Sequence, residues 1–169
     1  MANTYTLIEA KTVSTTTASV TFTSIPQTYT DLLVKLSVRQ DTANAGLFLR
    51  PNSSTTNLSS RRLFADSSAP WSDTGSNIFM LCNGNWATGN TFTNNEIYIP
   101  NYTSSNYKSV SIDSVAENNT SSAGLSFLGF VAGLWSDTTA ITSLNFVPEG
   151  GGANFVSGST FYLYGISNS

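Results

Sequence analysis

Few residues in this chain of 169 can carry chemistry. There is no histidine and only one cysteine, Cys82. Imidazole-based triads, the common His-ligated zinc and iron sites, internal disulfides and thiolate cages are therefore excluded. Ten carboxylates remain as general acids or bases: Glu9, Asp31, Asp41, Asp66, Asp73, Glu96, Asp113, Glu117, Asp137 and Glu149. Glycoside hydrolysis would need two of them facing each other across roughly 5–10 Å. Their spacing sets up no such pair, and Asp41, Asp66, Asp73, Asp137 and Glu149 sit beside turn residues, where capping accounts for them. Loop Asp and Asn are the donor type for calcium, which takes about six to eight oxygens. The D-x-[DN]-x-[DN]-G spacing is absent. The reading is a protein that is not an enzyme and holds no cofactor or metal.

Aromatic and basic residues are the better binding candidates. Trp71 lies in Ala69-Pro70-Trp71-Ser72-Asp73 and Trp86 in Gly84-Asn85-Trp86-Ala87, both loop-like surroundings, and Tyr102 and Tyr107 fall in a turn-rich stretch. Rings so placed can stack on a pyranose face or anchor a protein interface, although aromatics also fill β-sandwich cores routinely. Trp135 follows an apolar run and reads as core. Two large rings on polar loops mark an interaction site. At least one of Trp71 and Trp86 is expected to pack against another subunit; the alternative is that both cap their own sandwich. Arg61-Arg62, the only adjacent cations, read as an ion pair or an intersubunit contact with an acidic loop. Cys82, within Phe79-Met80-Leu81-Cys82, reads as a small buried hydrophobe.

The elements that must hold these residues are strands. Leu32, Val34, Leu36 and Val38 alternate with Leu33, Lys35, Ser37 and Arg39, the period of a half-buried strand. Val20 and Phe22, then Val110 and Ile112, repeat the pattern. Phe161 and Leu163 alternate with Tyr162 and Tyr164, so both phases are apolar and the strand is expected to be covered on two sides. Further strands are predicted over 4–10, 46–50, 61–65, 77–83, 95–100, 124–134 and 142–147. The stretch 124–134 holds three glycines, at about 1 kcal/mol each against a helix, and reads as a buried central strand. Turn residues cluster over 41–44, 51–60, 66–75, 83–85, 101–106, 117–122 and 148–154. About ten strands so spaced predict a single all-β domain over 1–169, an antiparallel sandwich of jelly-roll type.

Composition agrees. The chain holds 26 Ser, 23 Thr and 17 Asn, residues that hydrogen-bond locally and lose to turns and strands inside helices. Ten Phe, seven Tyr and three Trp exclude a disordered chain. Seven cations against ten anions give a net charge of −3, without the cation clusters that phosphate binding needs. Charge alone argues against nucleic acid as a partner. No apolar run is long enough to span a membrane. Met1-Ala2-Asn3-Thr4-Tyr5 lacks the features of a secretion signal, so the expectation is folding in a cytoplasm.

Four segments also carry a family resemblance. They are Ser24-Ile25-Pro26-Gln27-Thr28-Tyr29-Thr30-Asp31-Leu32-Leu33-Val34, Ile97-Tyr98-Ile99-Pro100-Asn101-Tyr102, Ala132-Gly133-Leu134-Trp135, and the ending Ser159-Thr160-Phe161-Tyr162-Leu163-Tyr164-Gly165-Ile166. Each resembles a stretch common in virion proteins of tailed bacteriophages, marine ones especially. The resemblance implies a jelly-roll structural component of the particle, assembled in the bacterial cytoplasm. A capsid cement or decoration protein, forming a homo-oligomer (a trimer by expectation) against the major capsid protein, is the leading expectation. A carbohydrate- or receptor-binding module of a tail or head fibre is the alternative. The resemblance transfers no catalytic residue.

Overall fold

The computed structural model describes residues 4–66, 68–119 and 126–167. Twelve strands carry the fold: β1 (Tyr5–Thr12), β2 (Val20–Phe22), β3 (Asp31–Val38), β4 (Gly46–Pro51), β5 (Leu58–Ala65) and β6 (Pro70–Gly75), then β7 (Ile78–Leu81), β8 (Thr93–Ile99), β9 (Lys108–Ala116), β10 (Phe127–Trp135), β11 (Leu144–Pro148) and β12 (Thr160–Ile166). All strand ladders are antiparallel.

Eight of the strands trace a jelly roll. β1, β12, β3 and β8 lie side by side in one sheet, and β2, β11, β4 and β7 in the other. The chain thus alternates between sheets in paired Greek keys. Two insertions enlarge the first sheet. The pairs β9-β10 and β5-β6 add on beyond β8, giving the order β1-β12-β3-β8-β9-β10-β5-β6. The result is an eight-stranded sheet against a four-stranded one, with a four-strand wing.

Period-2 patterning places the core. Leu32, Val34, Leu36 and Val38 all point inward and are at most 2% exposed, as Val110, Ile112, Phe161 and Leu163 are buried beside them. Phe22, Leu47, Leu49 and Phe146 answer from the smaller sheet. A run of rings joins the layers: Phe22 to Phe146 at 6.2 Å, Phe146 to Phe161 at 5.7 Å and Phe161 to Phe155 at 5.0 Å.

The wing poses a covering problem, because β7 is the last strand of the smaller sheet. Rings extend the cover. Trp86 meets Phe127 at 5.8 Å, Phe127 meets Trp71 at 6.2 Å, Trp71 meets Phe64 at 5.6 Å and Phe64 meets Phe79 at 5.8 Å. Gly129 of β10 makes the space for this, since a Cβ there would lie 2.3 Å from the Phe64 ring. Gly129→Ala is therefore expected to cost about 1–3 kcal/mol by overpacking. Chemical denaturation would read it, and an unchanged midpoint would mean that Phe64 is free to move aside.

At the buried outer edge of β7, side chains take the place of a further strand at Leu81. Leu81 N–H donates to Ser114 Oγ at 3.4 Å, Asn95 Nδ2 donates to the Leu81 carbonyl at 3.1 Å, and the Ser114 hydroxyl donates to Asn95 Oδ1 at 2.5 Å. Asn95 and Ser114 are 1% exposed. These two buried side chains are tolerable because each finds partners.

Three expectations need correction. The segment 66–75 is not simply a loop, since β6 runs through most of it as the outer edge strand. The strand predicted over 124–134 begins at Phe127 and is covered on one face only: Leu128 and Phe130 are 50% and 57% exposed. Residues 124 and 125 lie outside those described, as do 120–122 of the predicted 117–122 turn. Tyr162 likewise points outward, so β12 is not covered on two sides. Apolar residues in both phases signalled an outer face that stays apolar.

Candidate functional site

Tyr102 is not a loop ring open to a ligand. It is 0% exposed, and its hydroxyl donates to the Pro26 carbonyl. Desolvation holds its phenol above the ordinary value. Around it, Tyr98 Oη donates to Asp31 Oδ2 at 2.8 Å, and Asn101 N–H donates to Asp31 Oδ1 at 2.8 Å. The Tyr29 ring occupies the space above Gly165, where a Cβ would meet it at 2.3 Å. Three of the four segments that carry the family resemblance, 24–34, 97–102 and 159–166, thus converge on one corner of adjacent strands β12, β3 and β8. What they build there is a hydrogen-bonded latch between strands.

Arg61 and Arg62 alternate along β5 and leave on opposite faces. Arg62 turns inward, with Nε 2.7 Å from Asp73 Oδ1 and its guanidinium 4.8 Å over the Phe79 ring. The ion pair expected for this dipeptide is thus Arg62's, within the chain. Burial raises the carboxyl of Glu149 above its ordinary value, with the nearby Arg62 opposing. Arg61 faces outward, exposed, with no ion-pair partner among the described residues.

Trp71 and Trp86 share one partner, Phe127, and both rings pack against the larger sheet. Trp71 keeps 40% of its surface exposed and Trp86 is half-buried. Tyr107 stands alone at 59% exposure. Trp135 and Cys82 are core residues, at 3% and 1%, and burial pushes the Cys82 thiol up, away from reactivity.

The residues that sequence reasoning missed lie on the outward face of the wing. Leu63, Val115, Leu128 and Phe130 are each 50–57% exposed. Cross-strand register makes them contiguous: Leu63 is opposite Phe130, and Val115 is opposite Leu128. They border a shallow depression of about 690 Å³ lined by Arg61, Leu63, Ser72, Asp113, Phe130 and Ala132. The available signal was the doubled apolar phase of β10, which was read as burial on both sides.

Farther along the same face, Lys35 Nζ lies 2.8 Å from Glu96 Oε2, and Glu96 is directly opposite Asp113. Glu96 raises the Lys35 ammonium above its ordinary value, chiefly by hydrogen bonding. Glu96 and Asp113 are thus one carboxylate pair that the fold brings together, on an open sheet face and not across a cleft. Tyr5, Leu33, Lys35, Glu96 and Tyr164 line a smaller hollow of about 300 Å³. No group of three or more Cys, Asp and Glu suited to a metal occurs among the described residues.

Loop carboxylates set the response to acid. Asp41 is held below its ordinary value by the Asn154 side-chain amide and N–H, Asp66 by the Ser68 hydroxyl, and Asp137 by the Thr139 N–H. A lowered folded value means that the unfolded chain binds more protons in acid. The stability these groups contribute is complete above a pH of about 4 and is lost as pH falls through the lowered values. Glu149 acts with the opposite sign, its contribution being lost as pH rises. The thermal midpoint is expected to fall below a pH of about 4, less steeply in Asp41→Asn, and to slip slightly toward neutrality as Glu149 ionises. Calorimetry across that range checks it, and a midpoint that rises in acid would contradict it.

No family model matches the chain, and neither a curated protein nor a solved structure does.

Proposed function

We propose that the chain is a structural protein of a bacteriophage particle, a jelly-roll cement or decoration protein that works through protein–protein contacts at the outer capsid. The observation that carries the reading is the outward face of the wing, where Leu63, Val115, Leu128 and Phe130 stand half-exposed and contiguous. Four such side chains present on the order of 300–400 Å² of apolar surface, the size of the largest patch on a typical monomer, which is often functional. The jelly-roll winding and the resemblance of four segments to virion proteins support the same reading. The centre of the face is apolar, with Arg61 and Asp113 at its margins, so the apolar residues can pack against a neighbour while the two charges keep to the rim. A contact of standard size, repeated over a shell, holds through multivalency even where each copy binds weakly.

Cryo-electron microscopy and quantitative mass spectrometry of the particles test the assignment. Many copies on the shell are expected. A dozen copies or fewer at the tail would overturn the capsid placement, and absence from particles would overturn the whole reading.

One observation favours the fibre-associated alternative. Tyr5 and Tyr164 flank the Lys35–Glu96 pair in the smaller hollow, a combination of ring faces and hydrogen-bonding charges that suits a sugar. Binding on a glycan array that is lost in Tyr164→Ala would support it. An array without signal, with phage adsorption unchanged by added protein, would retire it.

A further inference from the structure

We infer that the outward face of the wing is a self-association surface, and that its occupant is the same face of a second copy of this chain. The inference rests on the reading of that face as a protein contact surface and names the partner.

Self-complementarity is the reason. Two unpaired charges of opposite sign flank the apolar residues. Arg61 lies on β5 and Asp113 on β9, one on each side of the central strand β10. Neither has an ion-pair partner among the described residues. A two-fold interface brings residue i against j and j against i. When this face is turned over onto its copy, β5 of one lies toward β9 of the other. Arg61 then comes toward Asp113 of the partner subunit, twice, while Phe130 and Leu63 pack in the middle. A partner with its own charge pattern would need a matching anion and cation at those two places; a second copy supplies them by symmetry.

The area sets the expected strength of the pair. The five strands β8, β9, β10, β5 and β6, spaced by about 4.8 Å and running for about 25 Å, present roughly 500–600 Å² of face. A stable interface needs on the order of 800 Å² per partner. The face falls short of that area, so the pair is expected to be of modest affinity. Sheet faces pack at about 10 Å, within reach of an arginine and an aspartate side chain. This face favours a pair over the threefold assembly expected from sequence.

Sedimentation and light scattering of the full chain at micromolar concentration test the proposal. The expected result is a mass twice that of the monomer, falling to the monomer in Phe130→Asp with the melting transition retained. Arg61→Glu and Asp113→Arg are each expected to weaken the pair at least tenfold. The double variant, which exchanges the charges, is expected to restore it. A monomer at every concentration, or a double variant weaker than both single ones, would overturn the pairing. The parent reading is tested separately by adding Phe130→Asp to particles that lack the protein. If the wild-type chain is monomeric and binds particles while this variant does not, the face is a contact surface for the shell and the pairing is wrong. If the variant binds as well as wild type, the contact-surface reading fails with it.

Discussion

Tyr102→Ala is expected to cost about 3–5 kcal/mol of folding stability, the range for truncating a buried aromatic ring. The ring is fully buried, and it ties together three stretches far apart in the chain. Its hydroxyl donates to the Pro26 carbonyl, 76 residues away. Its own carbonyl accepts the Ile141 N–H at 2.9 Å, and Gln27 Nε2 donates to the Ile141 carbonyl at 3.0 Å. Loss of the ring leaves a cavity and strips the Pro26 carbonyl of this donor. Tyr102→Phe keeps the ring and removes only the hydroxyl, so it should cost about 1–2 kcal/mol. Urea titration separates the two, with the midpoint moving and the slope constant. A Tyr102→Ala variant within 1 kcal/mol of wild type would show that the corner does not hold the jelly roll closed.

Much of this fold was legible because one physical rule wrote it. Where one sheet face is buried and the other is wet, period 2 appears in the residue types, as in Leu32, Val34, Leu36 and Val38. The rule fails where both phases are apolar. In β10, Val131 points in at 3% exposure and Phe130 points out at 57%, yet both are large and apolar. Local sequence cannot say which face a second layer covers, because that depends on how many strands each sheet collects. The small sheet has four and the large one eight.

Tyr102 was misplaced for a related reason. Its neighbours Asn101 and Thr103 are turn residues and predict exposure correctly for themselves. Burial of the ring depends on the Pro26 loop arriving from another part of the chain, which no local window contains. β6 was hidden by Pro70, Asp73 and Gly75, residues that an edge strand tolerates and a central one does not. Arg61 and Arg62 look like a cation pair on paper, but strand pleating sends neighbours to opposite faces. Only Arg61 remains available to a partner.

Phe161→Ala is the second large effect, and its neighbour supplies the control. Phe161 is 0% exposed between the sheets, 5.0 Å from Phe155 and 5.7 Å from Phe146. On its own sheet it is opposite Leu36 on one side and Lys11 on the other. Several apolar elements therefore meet on one ring, and close packing prevents them from collapsing into the void. A loss of about 3–5 kcal/mol is expected. Against a typical total of about 5–15 kcal/mol, that lowers the thermal midpoint by on the order of 10 °C. Tyr162, one residue on, points to the outward face at 36% exposure, and Tyr162→Ala should change stability by no more than about 1 kcal/mol. Only the inward phase of β12 carries the sandwich if this contrast is found. Equal losses at the two positions would mean that a second layer covers the outward face, and equal tolerance would mean that the ring run does not bind the two sheets together.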